Sequence, residues 1–143
     1  MSRRTAAALV ITRGTGTEIE VFLGERSPEL RFFGGYWAMP GGTVDEGDRG
    51  DDEAATMQAC ARRELFEETG LSWGEPPSDR ATLETVRRDM LRRDRKGAEQ
   101  PTPAPSWAEV TAGRDTAPMR QLCRIETPPF APVRYDTIFF HVP

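Results

Sequence analysis

The residues of this chain whose types and spacing suggest chemistry are Glu64, Glu67 and Glu68, within Arg63-Glu64-Leu65-Phe66-Glu67-Glu68-Thr69-Gly70-Leu71. On a helix, at 100° per residue, Glu67 lies about 60° to one side of Glu64 and Glu68 about 40° to the other, so the three share one stripe. One reading is an acidic face in solvent. Two electrostatic costs stand against it. Like charges at these spacings repel by about 0.2–0.5 kcal/mol per pair, and the last turn of a helix disfavours anions by about 0.3–1 kcal/mol each. Arg63, four residues before Glu67, is the cation at helical pairing distance. The other reading is a bound divalent ion: hard carboxylate oxygens suit Mg²⁺ or Mn²⁺, with water and phosphate oxygens filling the remaining positions. That points to phosphate chemistry.

Other nucleophile and metal chemistries find little support. His141 is the single histidine, which excludes HExxH zinc chemistry and leaves a Ser-His-Asp triad one poorly placed candidate. Cys60 and Cys123 are far apart and lack zinc-ligand or disulfide-scaffold spacing. Gly41 and Gly42 read as a strand-to-helix turn, where paired glycines let the backbone approach a ligand or metal, Gly41 as a substrate contact; the same pair also suits a plain tight turn. Arg26 and Arg31 have the guanidinium chemistry for bidentate phosphate pairing, or serve as loop arginines bonded to carbonyls or Glu29. Trp37, Trp73 and Trp107 offer stacking faces for a base, although packing is the commoner fate of tryptophan.

The 143 residues suffice for one domain spanning 1–143 and for one core. Thr5–Thr12 and Glu18–Leu23 flank turn residues and suggest a β-hairpin. Gly24–Gly35 reads as loop. A helix is expected from about Asp52 to Glu68, with acids at its start and Gly70 just past its end. A second helix over Asp79–Lys96 carries Arg80, Arg87, Arg88, Arg92, Arg93, Arg95 and Lys96, as a solvated face or as a basic lid. Trp107–Ala112 suits one helical turn, and Met119–Glu126 and Arg134–Val142 suit strands. Together these give an α/β (α+β) sandwich. A net charge of -4 argues against a nucleic-acid polymer as partner. The longest apolar run, Ala6–Ile11, is far below the ~20 residues that span a bilayer, so no membrane partner is expected. The sparse cysteines suggest a reducing, cytoplasmic setting.

Pro40-Gly41-Gly42 followed by Arg63-Glu64-Leu65-Phe66-Glu67-Glu68-Thr69-Gly70-Leu71 resembles the Nudix box, GX5EX7REUXEEXGU, here spanning 41–71. The second half matches at every specified position. The first departs in two ways: Asp48 stands where the family has Glu, and the 14 residues Arg49 to Arg62 fill a spacer that is normally seven. The resemblance implies an α/β/α sandwich with a mixed sheet, here carrying an inserted helix and loop segment at 74–115. It implies Mg²⁺ or Mn²⁺ held by Glu64, Glu67, Glu68 and the Gly42 carbonyl, with Arg63 orienting the glutamates. The implied reaction is hydrolysis of a nucleoside diphosphate linked to a second moiety, a small-molecule partner, in a homodimer by analogy.

Arg26-Ser27, Arg31, Gly35 and Met39-Pro40-Gly41-Gly42 further resemble the element R(S/A)x3Rx3Gx3FPGG of coenzyme A diphosphatases. Ile125–Pro129 and Arg134–Phe140 resemble a region of the organellar branch of that group. Coenzyme A or an acyl-coenzyme A is the substrate this implies. The alternatives are ADP-ribose or NADH hydrolysis, and a Nudix-fold binding module without turnover. Family domains usually continue into another strand and a closing helix, so a chain truncated at the C-terminus, or a fragment of a larger protein, is a further expectation.

Overall fold

A computed structural model describes residues 3–30, 33–93, 105–114 and 117–143. The alternating and apolar stretches form strands β1 (Arg4–Arg13), β2 (Glu20–Val21), β3 (Gly24–Glu25), β4 (Trp37–Ala38), β5 (Gly41–Thr43), β6 (Arg120–Glu126) and β7 (Tyr135–Val142). Helices are α1 (Glu53–Thr69), α2 (Arg80–Arg93) and α3 (Trp107–Thr111). The main sheet runs β2-β1-β7-β6, with β5 also on β1. β1 and β7 are parallel, from Arg4↔Tyr135 to Ile11↔Val142, and the other pairings are antiparallel, so the sheet is mixed and the class is α+β.

The expected hairpin forms: Thr12 faces Val21 across a short helical turn at Gly16–Glu18. Two expectations need correction. Gly24–Gly35 is not all loop, because Gly24–Glu25 pairs with Trp37–Ala38 in a separate two-stranded ribbon. Nor do Gly41 and Gly42 make a turn. They lie in β5, facing Ala8 and Ala7 of β1. Close approach is indeed what these glycines supply, but Gly41 supplies it to a strand: a Cβ there would sit 2.6 Å from the Ala7 carbonyl oxygen and 2.8 Å from the Ala8 Cα.

Helix α1 starts and stops where local chemistry directs. Asp52 is its N-cap, accepting from the Ala55 N–H at 2.7 Å, and Gly70 closes it with φ +76, its N–H donating to the Phe66 carbonyl at 2.7 Å. Met57, Cys60, Ala61 and Leu65 pack with Ala7, Leu9, Ile138, Phe140 and Val142 into the core between α1 and the sheet. On the outer side of α1, Phe66 stacks on Trp107 of α3 with ring centroids 4.4 Å apart. α2 also packs there; its expected tail, 94–96, lies outside the described residues.

Candidate functional site

The acidic stripe of α1 continues a buried one. Met57 and Cys60 lie seven and four residues before Glu64, on the same side of the helix, and both are fully buried under the sheet. Glu64 and Glu67 therefore emerge at the edge of the core, with side chains only 14% and 15% exposed. The reading as an acidic face in solvent does not hold for them.

Arg63 answers much of this charge. It is 13% exposed and reaches Glu64 Oε1 at 2.9 Å and Glu67 Oε2 at 3.1 Å. Its Nε donates to Asp48 Oδ1 at 2.9 Å, and another nitrogen to Asp48 Oδ2 at 2.9 Å and to the Thr43 carbonyl at 2.8 Å. Burial works against the charge on Arg63, but the Asp48 bonds and the Glu64 charge outweigh it and raise its pKa. Asp48 is itself buried, 3% exposed, and its Oδ2 accepts the Asp45 N–H at 2.8 Å in a short helical turn at Glu46–Asp48. The long spacer is accommodated because four of its residues form the loop 49–52 and the remainder are the opening turns of α1. An aspartate thus anchors Arg63 across that spacer.

β5 supplies the floor. The Gly41 N–H donates to Glu68 Oε2 at 3.1 Å, while at Gly42 any Cβ would overlap the Glu64 carboxylate. Glu68 keeps part of its surface in solvent, yet burial of its carboxyl pushes it up to about 7. The Gly41 bond opposes that rise, the Glu64 charge adds to it and Arg26 opposes it. The Cys60 Sγ–H points at the Gly42 carbonyl, 3.5 Å away; burial, with the Asp48 and Glu64 charges, pushes this thiol up to about 12, so it stays neutral.

Arg26 is half-buried on the ribbon side of Glu68, and its Nε is buried with no hydrogen-bond partner among the described residues. Arg31 lies outside the described residues. Of the tryptophans, Trp107 is stacked on Phe66, Trp73 donates to the Pro118 carbonyl at 3.1 Å, and Trp37 is exposed. A groove of about 940 Å³ runs between the end of α1 and α2, past Leu71, Leu83, Leu91 and Arg88, but none of the glutamates of the stripe lines it. The chemistry and this groove are therefore on different sides of α1.

Among the described residues no three acidic, histidine or cysteine side chains converge as a ready-made metal cage, because Glu64 and Glu67 turn toward Arg63. The donor set nonetheless fits a hard divalent cation. Glu64 and Glu68 oxygens gather over the same two glycines, the missing Cβ of Gly42 leaves room against Glu64, and carboxylates outnumber guanidinium groups. Sequence reasoning missed Cys60, whose four-residue spacing to Glu64 was the available signal. It also missed a bond from Arg87 to the end of α1, for which no local spacing gives one.

Comparison with known proteins supplies the family of this mixed sheet with its acid-lined helix over a glycine strand, and supports a hydrolase of phosphorus-containing anhydrides. The profile of the NUDIX domain matches residues 1–110, and the chain belongs to that family. It is similar over 98% of its length to a crystal structure of a NUDIX hydrolase from Alicyclobacillus acidocaldarius, with 27% identity and a TM-score of 0.60, and covers 69% of that chain. It is similar over 99% of its length to the NUDIX domain of Shewanella oneidensis NrtR complexed with ADP ribose, with 17% identity and a TM-score of 0.53, and spans 60% of that chain. No protein with a curated description matches. NUDIX hydrolases generally use divalent metal ions, and no helix among the described residues is long and apolar enough to cross a membrane.

Proposed function

We propose that this chain hydrolyses the diphosphate linkage of a nucleoside diphosphate joined to a second moiety, with coenzyme A or an acyl-coenzyme A as first substrate. The observation that carries the reading is the seating of Glu64 and Glu68 on consecutive glycines of β5, with Arg63 locked behind them by buried Asp48. Glu64, Glu67 and Glu68, with the Gly42 carbonyl, would hold Mg²⁺ or Mn²⁺, which when bound activates water and neutralises charge developing on the phosphoryl oxygens. Arg63 keeps the glutamates from splaying. The orphaned Nε of Arg26 has an unfilled donor for a phosphate oxygen. Gly41 donates its N–H to Glu68 and so sets that carboxylate's position.

The coenzyme A preference rests on the upstream element around Arg26, Gly35 and Met39–Gly42. ADP-ribose is the second reading, favoured by the ADP-ribose complex of the NrtR NUDIX domain. The test is a panel of coenzyme A, acetyl-coenzyme A, NADH and ADP-ribose with Mn²⁺ or Mg²⁺, followed by phosphate-containing products. Cleavage of coenzyme A with the highest kcat/KM is expected. Inertness of folded protein toward the whole panel overturns hydrolysis, and tight calorimetric binding without product would make the domain a binding module.

A further inference from the structure

The C-terminal end of α1 presents a problem that Arg63 does not solve. The last four carbonyls of a helix lack partners within it, and the partial negative charge they create lies where Glu67 and Glu68 add full ones. Gly70 satisfies part of this through its N–H to the Phe66 carbonyl. The remainder falls to a side chain from another helix. Arg87 of α2 donates from Nε to the Phe66 and Glu67 carbonyls, at 3.1 and 3.0 Å, and from a terminal nitrogen to the Glu68 carbonyl at 3.2 Å. Its stem passes 3.6 Å from where a Cβ would stand on Gly70, and the left-handed φ of +76 there is one that glycine adopts without strain.

We infer that Arg87 is a positioning residue for the reaction, fixing through three backbone carbonyls the turn from which Glu67 and Glu68 project. The inference rests on the hydrolase reading above. Burying α2 alone would not require it, since Val86, 1% exposed, already gives that helix an apolar anchor. What the guanidinium adds is specific. It places a cation at the negative end of the helix while binding backbone oxygens, so the carboxylate oxygens of Glu67 and Glu68 are not consumed. Arg63 binds the side chains themselves, and the two arginines divide the work. Arg80, by contrast, pairs with Glu84 in open solvent and serves as the control.

The experiment compares wild type with Arg87→Met, Arg87→Lys and Arg80→Ala. It measures Mn²⁺ affinity by calorimetry in the absence of substrate, kcat and KM at saturating Mn²⁺, and hydrogen exchange of the Thr69 and Gly70 amides. Loss of a contact that supports a metal ligand typically costs 10–100-fold. Arg87→Met is therefore expected to weaken Mn²⁺ binding about 10-fold, lower kcat by a similar factor with KM nearly constant, and speed exchange at both amides. Arg87→Lys, a single point donor, should recover part of each, and Arg80→Ala should match wild type. Unchanged Mn²⁺ affinity and exchange in Arg87→Met, beside an active wild type, overturns this inference and leaves the hydrolase reading standing. A wild type that neither binds Mn²⁺ nor turns over the panel overturns both. If Arg87→Met does not fold, Arg87→Lys decides: a roughly threefold loss of Mn²⁺ affinity supports the role, and none rejects it.

Discussion

Among the described residues, two arginine–aspartate clusters stand toward opposite ends of α1, and they differ in how their charge closes. At the far end, buried Asp136 is gripped by Arg124 through Nε at 2.7 Å and a terminal nitrogen at 2.6 Å, and by Arg3 at 3.3 Å; Glu53 and Glu126 complete the set. Two guanidinium groups there meet three carboxylates. Among the described residues at the site, Arg63 is bonded to Asp48, Glu64 and Glu67 and Arg26 stands beside Glu68, so two guanidinium groups meet four carboxylates. The far cluster ties the start of α1 to β6 and β7 and is close to self-sufficient. The near one is built with an acid surplus, which a fold pays in stability and which a divalent cation offsets.

If that contrast is correct, isosteric removal of one charge has opposite consequences at the two ends. Glu64→Gln is expected to lower Mn²⁺-dependent turnover by about 100-fold or more, several kcal/mol of transition-state charge stabilisation, while the metal-free melting temperature stays level or rises. Asp136→Asn should leave turnover within about twofold and lower the melting temperature. Paired kinetics and thermal melts decide, and a Glu64→Gln protein of undiminished turnover removes the site from consideration.

Removing the cations gives the next effect in size. Arg63→Ala leaves Asp48 buried and unpaired, a change that costs about 3–5 kcal/mol in comparable settings. Arg124→Ala should cost less in urea denaturation, because its side chain is 41% exposed and Arg3 still reaches Asp136. Equal losses would mean that both clusters are merely structural.

How far each cluster was legible depended on sequence separation. The extent of α1 could be read from Asp52 and Gly70, and the stripe of Glu64, Glu67 and Glu68 from helical spacing, because cap, stop and stripe are all local. Strands β1, β6 and β7 showed through their apolar and β-branched runs. Gly41 and Gly42 were misread as a turn because what makes them a strand is pairing with Ala7 and Ala8, more than thirty residues upstream. β3 and β4 are two residues each, too short for alternation to register. Asp48 stood out only as a departure from a motif, since its bond to Arg63 spans 15 positions, and Arg87 bonds 19 to 21 positions away.

The smaller effects are in pH and reagent access, and here the two ends should respond with opposite sign. Glu68 is held at about 7 against an ordinary 4.5. Its contribution to stability is therefore fully present below about pH 4.5 and is lost as pH rises through 7, when the surplus charge appears. Asp136, kept below its ordinary 3.8 chiefly by the Arg124 bonds, contributes above that value and loses its contribution as pH falls through its folded pKa. Metal-free Glu68→Gln should therefore lack the decline between pH 5 and 8 that wild type shows in thermal melts, and Mn²⁺ should abolish the same decline in wild type. A wild-type curve that rises over this interval would mean that Glu68 ionises freely and that the site holds no surplus to offset. Each end also has one cysteine. Iodoacetamide at pH 8 should label exposed Cys123, beside Arg124, and spare Cys60, whose neutral buried thiol is pushed up to about 12 under Gly42. Mass spectrometry of the labelled peptides, with turnover unchanged after labelling, would place the dispensable thiol at the clamp. Prompt modification of Cys60 would show instead that the floor beneath Glu64 opens to solvent, and an acid surplus held over an open floor would be relieved by water without a cation.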